Sequence, residues 1–376
     1  MGSDLGLLES HDGAATTDYV SGAGVAIGAP LLLATGASPT TVLAGGLLAV
    51  GMSRDFGATF EPTPVAPEVP VGNTTVSSVT TQDIKFETAS GLFGVAGPIN
   101  GMGSVAVSSD DGSSWTVKQI ATEPPLITPT SIRYASFPSA KIWYATAGFW
   151  GDDQVEVPQG AHRISRAFTA VRGADGKVQI VENENENENE SKNEKKGATS
   201  SLRGSSSSEK KKVKESGDGD GDYTGAWASV VKTTDGGETW SVVYNSTAPA
   251  GGYYPNDIHC FDESSCAFAL DGSLSQPSQI LTTTDGGATW ATYSTDQAST
   301  VMPVRMVGKT EAWAGGGDVT GQLWHTTDLK TWDKQGTAVN DAFFLSSFAL
   351  DPAAGAFAYA TGFLRSQLCS VLKITF

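Results

Sequence analysis

The sequence predicts an all-β protein, a six- or seven-bladed β-propeller built from repeated hairpins. Three observations carry that prediction. A motif of the form Ser/Thr-x-Asp-x-Gly-x-Ser/Thr-Trp recurs along the chain. Its copies recur at a near-constant interval, and short apolar runs precede them in the same order.

"SSDDGSSW" ends at Trp115, "TTDGGETW" at Trp240, "TTTDGGATW" at Trp290 and the shorter "TTDLKTW" at Trp332. "SRDFGATF", Ser53 to Phe60, fits with Phe for Trp, and "SHDGAATT", Ser10 to Thr17, fits loosely. Neighbouring copies end 42–55 residues apart, apart from one gap of 125 between Trp115 and Trp240. A period of about 40–55 residues marks a propeller or another repeat array. The long gap reads as one period plus an insertion of about 75 residues.

A second element precedes the motif: "LFGVAG" (92–97), "IWYATAG" (142–148), "CAFALDG" (266–272), "EAWAGGG" (311–317) and "AFAYATG" (356–362). Each is a short aromatic and aliphatic strand ending in Gly. A further apolar strand such as "QILTTT" then leads into the motif, and another strand leaves it. That order gives about four strands per unit, which is a propeller blade.

The motif has a structural chemistry. Asp-Gly between two apolar runs makes a hairpin turn, and Gly supplies the positive φ such turns need. The Asp carboxylate and the preceding Ser/Thr hydroxyl bond to turn amides. The Trp lays an apolar face beneath the turn. Asp55, Asp110, Asp235, Asp285 and Asp328 are therefore expected to be structural. So are Gly57, Gly112, Gly237 and Gly287, and Trp115, Trp240, Trp290 and Trp332.

The motif resembles the Asp-box, or BNR repeat, of sialidases, sortilin-type receptors and photosystem II assembly factors of the Ycf48/Hcf136 type. Copies preceded by a strand such as "EAWAGGG" most resemble the last. The resemblance implies one propeller over residues 1–376, structural box aspartates, and a role in assembling a membrane photosystem in a plastid or thylakoid lumen.

Within that domain, residues 182–222 begin "ENENENENE" and continue through runs of Ser, Lys and Gly. Such a segment cannot bury enough apolar surface to offset its ordering entropy, so it is expected to be a disordered insertion within one blade. It is not the source of the acidity. The net charge is −17, and the insertion supplies only −3 of it. A chain this acidic is not expected to bind nucleic acid, which requires a basic surface.

The chain has three cysteines, and "HCFDESSCAF" reads as strand, polar turn, strand. Cys260 and Cys266 are thus placed to form a disulfide in an oxidising compartment. Asn73, Asn189 and Asn245 begin glycosylation sequons, with Asn73 and Asn245 the better candidates. Together these favour an extracytoplasmic location. The N-terminus has no basic region typical of a signal peptide. Residues 23–52 are uncharged but broken by Pro30 and Pro39, so they read as strands and turns and no membrane span is expected.

No catalytic constellation emerges. A sialidase needs an arginine triad, a Tyr nucleophile with a Glu partner, and an Asp acid. The eight arginines carry no Phe/Tyr-Arg-Ile-Pro motif, and Arg133 and Tyr134 are strand neighbours expected to face opposite sides. His11, His162, His259 and His325 show no metal spacing. No metal or other cofactor is expected. The reading leans away from an enzyme, toward a non-catalytic scaffold or protein-binding module with a protein partner. The alternative is a secreted Asp-box glycoside hydrolase, sialidase-like, or a glycan-binding protein.

Overall fold

The structure, a computed structural model, describes residues 7–9, 18–20, 31–36, 40–46, 50–55, 58–71, 74–76, 79–121, 132–149, 167–172, 178–183, 227–246, 253–272, 276–295, 300–317, 321–339, 342–350, 357–364 and 367–375. Every regular element among them is a strand, and every pairing is antiparallel.

β1 (Leu7–Glu9) and β2 (Asp18–Val20) pair with each other. β3 (Leu31–Gly36), β4 (Val42–Gly46), β5 (Val50–Ser53) and β6 (Glu61–Pro62) form a four-stranded sheet in chain order. β7 (Val69–Val71) and β8 (Thr74–Val76) form a hairpin. β9 (Asp83–Glu87), β10 (Leu92–Ile99), β11 (Met102–Ser108) and β12 (Thr116–Gln119) repeat the four-stranded pattern.

The next sheet is interrupted. β13 (Ile132–Ser136) and β14 (Trp143–Phe149) are followed by β15 (Ala167–Arg172) and β16 (Val178–Asn183), which leave the sheet and join the β7–β8 hairpin through Val171↔Val76. The chain returns as β17 (Trp227–Thr233), which pairs with β14 from Phe149↔Trp227 to Trp143↔Thr233, and the sheet closes with β18 (Ser241–Asn245). The insertion therefore lies between the second and third strands of one sheet. Of residues 182–222, Glu182 and Asn183 end β16 and the others lie outside the described residues.

Two uninterrupted sheets follow: β19 (Tyr254–Cys260), β20 (Cys266–Asp271), β21 (Gln279–Thr283) and β22 (Ala291–Ser294), then β23 (Thr300–Met306), β24 (Ala312–Gly317), β25 (Gly321–Thr326) and β26 (Asp333–Val339). β27 (Ala342–Leu350), β28 (Phe357–Leu364) and β29 (Gln367–Thr375) make a three-stranded sheet. The aromatic runs ending in Gly are the second strands, β10, β14, β20, β24 and β28.

Among the described residues, four apolar cores join the sheets beginning β3, β9, β13, β19 and β23 in succession. Leu43, Val50 and Met52 pack on Ile84, Phe93 and Val95. Val105 and Val107 pack on Ile132, Phe137 and Trp143. Tyr144 and Val230 pack on Ile258 and Phe268, and Ala269 and Ile280 pack on Val304 and Trp324. Burying a side chain of this size is worth about 1.5–3 kcal/mol, so these junctions dominate the stability. The approach is close. A Cβ on Gly94 of β10 would overlap the Phe137 ring, and one on Gly148 of β14 would overlap Pro255.

The first strand of each sheet is an edge, and its amides need partners. Side chains of the preceding sheet supply them. Phe86 N donates to Thr35 Oγ1 (3.1 Å), Ala135 N to Asp83 Oδ2 (3.0 Å) and Phe137 N to Glu87 Oε1 (3.1 Å). Cys260 N donates to Ser136 Oγ (3.0 Å), Val304 N to Asp257 Oδ2 (3.1 Å) and Met306 N to His259 Nδ1 (3.1 Å). This pattern orders the sheets beginning β3, β9, β13, β19 and β23 around a common axis.

Candidate functional site

Two groups of polar residues are candidates: the repeated turns and the axial cluster. In the turns, one aspartate serves several donors. Asp110 Oδ1 accepts from Ser108 Oγ (2.8 Å) and Ser114 N (2.8 Å), and its Oδ2 accepts from Ser114 Oγ (2.6 Å). Asp235 does the same with Thr233 and Thr239, and Asp285 with Thr283 and Thr289. Asp55 repeats it with Ser53 and Thr59. Asp328, in the shorter turn, takes Thr326 Oγ1, Lys330 N, Thr331 N and Thr331 Oγ1.

These donors hold the carboxylates ionised. The Ser114 hydroxyl and amide lower Asp110 to about 2, and those of Thr289 lower Asp285 to about 2. Asp235, through Thr233 and Thr239, Asp328, through the Thr331 and Lys330 amides, and Asp55, through Thr59, are lowered likewise.

Gly112, Gly237 and Gly287 have φ of +75°, +88° and +89°, and each donates its N–H to the first hydroxyl of its turn at 2.9 Å. Where the short turn lacks Gly, Leu329 takes φ of +58° and donates to Thr326 Oγ1. Gly57 lies outside the described residues.

Each motif Trp enters the junction between its own sheet and the preceding one: Trp115, Trp240, Trp290 and Trp332 in turn. The indole N–H groups of Trp115 and Trp240 bond to Gly112 O and Gly237 O within the turn. Trp290 reaches across to Val243 O of the neighbouring sheet (3.1 Å), and the Trp332 N–H is buried without a partner among the described residues.

The axial cluster lies on the first strands. Lys85 Nζ donates to Asp257 Oδ1 (2.7 Å), Ala135 O (3.0 Å) and Ile258 O (2.6 Å), with Asp83 Oδ2 at 3.1 Å. Arg305 Nη1 donates to the other oxygen of Asp257 (2.8 Å). Burial works against all three buried charges. For Lys85, Asp257 and Asp83 outweigh it and hold the ammonium above its ordinary pKa. For Asp257, Lys85 and Arg305 outweigh it and hold the carboxyl low, whereas at Asp83 burial wins and raises it.

His259 accepts through Nδ1, so its neutral form carries the proton on Nε2, which faces Glu87 Oε2 at 3.7 Å. Burial lowers His259 to about 4. At the other end of the same sheet, burial raises Asp271 to about 6, although Ser278 Oγ donates to it.

Sequence reasoning missed this cluster, because isolated charges on short strands match no motif. The alternation Asp83, Lys85, Glu87 was its one visible trace. Arg133 and Tyr134 are not a simple opposed pair. The β13–β14 register shifts between Ile132 and Ala135, and both residues are half-buried in the bulge. The Arg133 guanidinium lies 5.3 Å from the Tyr254 ring centre and donates to Gln82 Oε1.

Cys260 and Cys266 are cross-strand partners of β19 and β20 and form a disulfide. Asn245 is exposed at the end of β18, and Asn73 lies outside the described residues. Of the other histidines, His325 stacks on Trp313 (4.0 Å between centres) and meets Glu311 at 3.0 Å, and His11 and His162 lie outside the described residues. Among the described residues no three His, Cys, Asp or Glu side chains group as metal ligands, and no helix is long and apolar enough to cross a membrane.

No family model matches the chain, and no curated protein matches it. Several solved structures do. A GH74 enzyme of Niastella koreensis aligns with TM-score 0.50 at 11% identity, over 98% of this chain and 49% of its own. The GH74 xyloglucanase of Xanthomonas campestris aligns with TM-score 0.47 at 12% identity, over 95% of this chain and 48% of its own. YCF48 from Cyanidioschyzon merolae aligns with TM-score 0.35 at 14% identity, over 92% and 95% of the two chains. The chain thus spans about half the length of these GH74 chains. At 11% identity the likeness to the Niastella koreensis enzyme is one of fold alone, and the antiparallel four-stranded sheets agree with it: the chain is a β-propeller.

Proposed function

We propose that this propeller is a non-catalytic scaffold that binds another protein in an extracytoplasmic compartment. The observation that supports it is the employment of its carboxylates. The repeated aspartates are engaged by their own turns, and Asp83 and Asp257 close on one buried ammonium. A glycosidase instead keeps two carboxyl groups about 5–9.5 Å apart, with the sugar between them. The net charge of −17 suits a partner with a basic surface. The disulfide suits an oxidising compartment. In a photosynthetic source, the partner implied by the resemblance to Ycf48/Hcf136-type factors is a photosystem subunit during assembly.

The test is crosslinking of the tagged full-length chain in its native cells, with quantitative mass spectrometry of what is captured. The purified chain is assayed in parallel on sialyl and neutral glycosides. The reading predicts one dominant protein, released by salt, and no glycoside turnover. Turnover without a protein partner would overturn it in favour of a glycoside hydrolase.

A further inference from the structure

We propose that Asn245 carries an N-linked glycan, and that this glycan covers the open edge of β18. Asn245 opens the triplet Asn245-Ser246-Thr247, the acceptor pattern for this modification. It is exposed, at the end of the outermost strand of its sheet.

Its setting tolerates the modification. Ser229 Oγ, on the paired strand β17, donates to Asn245 Oδ1 over 2.9 Å. A glycan is attached at Nδ2, the other branch of the amide. The oxygen keeps its lone pairs after attachment, so the buried Ser229 hydroxyl keeps its acceptor. Ser246 is fixed independently, because its N–H donates to Ala228 O and its Oγ accepts from Ala228 N, both at 2.8 Å. The acceptor amide is therefore held at the rim of the sheet rather than folded into it.

The reason to cover this rim lies in β18 itself. Its residues are Ser241, Val242, Val243, Tyr244 and Asn245, with no charge and no proline. An outer strand presents unpaired backbone groups, and charged side chains or proline are the usual guards against pairing with another chain. Three other outer strands have such guards, Glu61 and Pro62 in β6, Lys118 in β12, and Asp333 and Lys334 in β26, whereas the shorter β22 has none. A bulky, hydrated glycan at Asn245 serves the same end.

The transfer is an ordinary substitution. Asn245 Nδ2 attacks the anomeric carbon of a lipid-pyrophosphate-linked oligosaccharide. The N–C bond forms as the C–O bond to phosphate breaks. The lipid pyrophosphate leaves with that electron pair, and one amide proton passes to a base of the transferase.

The experiment secretes the full chain from an N-glycosylating eukaryotic host. It compares the wild type with Asn245→Gln, Thr247→Ala and Ser229→Ala. Enzymatic deglycosylation in heavy-oxygen water labels each occupied site, and light scattering follows self-association. The proposal predicts a labelled Asn245 peptide in the wild type and in Ser229→Ala. It predicts loss of one glycan, with increased self-association, in both Asn245→Gln and Thr247→Ala. An unlabelled Asn245 peptide in secreted wild type overturns the site. A glycan whose loss leaves self-association unchanged overturns the shielding role.

Discussion

Lys85 and Asp257 are 172 residues apart in the chain, yet Lys85 Nζ donates to Asp257 Oδ1 over 2.7 Å. The same ammonium bonds to Ala135 O and Ile258 O, so one side chain joins three sheets at the axis. Its removal leaves Asp83 buried without its cation and Asp257 with Arg305 alone. Lys85→Met is predicted to destabilise the fold by about 3–5 kcal/mol, the usual consequence of breaking a buried pair from one side. Adding Asp83→Asn to that variant should recover part of the loss, because the amide oxygen can still accept from Ala135 N. Urea unfolding of the three proteins decides it, and a loss under about 1 kcal/mol for Lys85→Met, within the range of an exposed pair, would contradict the account.

Two buried groups of one sheet set opposite pH dependences. His259 is lowered by burial to about 4, from an ordinary 6.5. The unfolded chain takes that proton first as the pH falls, so this contribution is present above pH 6.5 and is lost on approaching pH 4. Asp271 is raised by burial to about 6, from an ordinary 3.8. Here the folded chain takes the proton first, so the contribution is full below pH 3.8 and is lost as the pH rises through 6. His259→Gln should abolish the first slope and Asp271→Asn the second. Stability curves between these limits check both, and identical slopes in all three proteins would refute the assignment.

Gly94 of β10 has no room for a side chain, because a Cβ there overlaps the Phe137 ring of the next sheet. Gly94→Ala is predicted to lose about 1–3 kcal/mol by overpacking. Shortening the opposing residue in Gly94→Ala/Phe137→Leu should restore part of that loss. Independent, additive effects of the two changes in a double-mutant cycle would show that the sheets do not meet there.

The sequence disclosed the periodic part of this fold. Asp110, Asp235 and Asp285 sit in equal turns because the same donors recur at the same offsets, and such local chemistry can be read without tertiary structure. The Cys260–Cys266 pairing was legible for the same reason, since the polar turn between the two strands fixes which residues meet. The axis was not. Lys85 meets Asp257 only because separate sheets converge, and nothing within one period encodes that meeting. The bulge at Arg133 and Tyr134 was hidden as well, because strand alternation assumes an unbroken register.

The Cys260–Cys266 disulfide closes a short hairpin, so it restricts the unfolded chain only modestly. Replacing both cysteines by Ala is predicted to lower stability by about 2 kcal/mol while preserving the fold. Thermal unfolding with and without reductant measures this, and an unfolded double variant at neutral pH would show that the disulfide has a larger role than hairpin closure.

The proposal to be tested is that the repeated aspartates are structural and the propeller is a non-catalytic scaffold. It is tested most directly by measuring the melting temperatures of Asp110→Ala, Asp235→Ala and Asp285→Ala beside turnover of sialyl and neutral glycosides by the wild type and each variant. The three carboxylates make equivalent bonds in distant sheets. The account predicts three comparable falls in melting temperature, additive in combination because the sites are well separated, and no turnover by any protein. Turnover by the wild type that one substitution abolishes while leaving its melting temperature unchanged would contradict it.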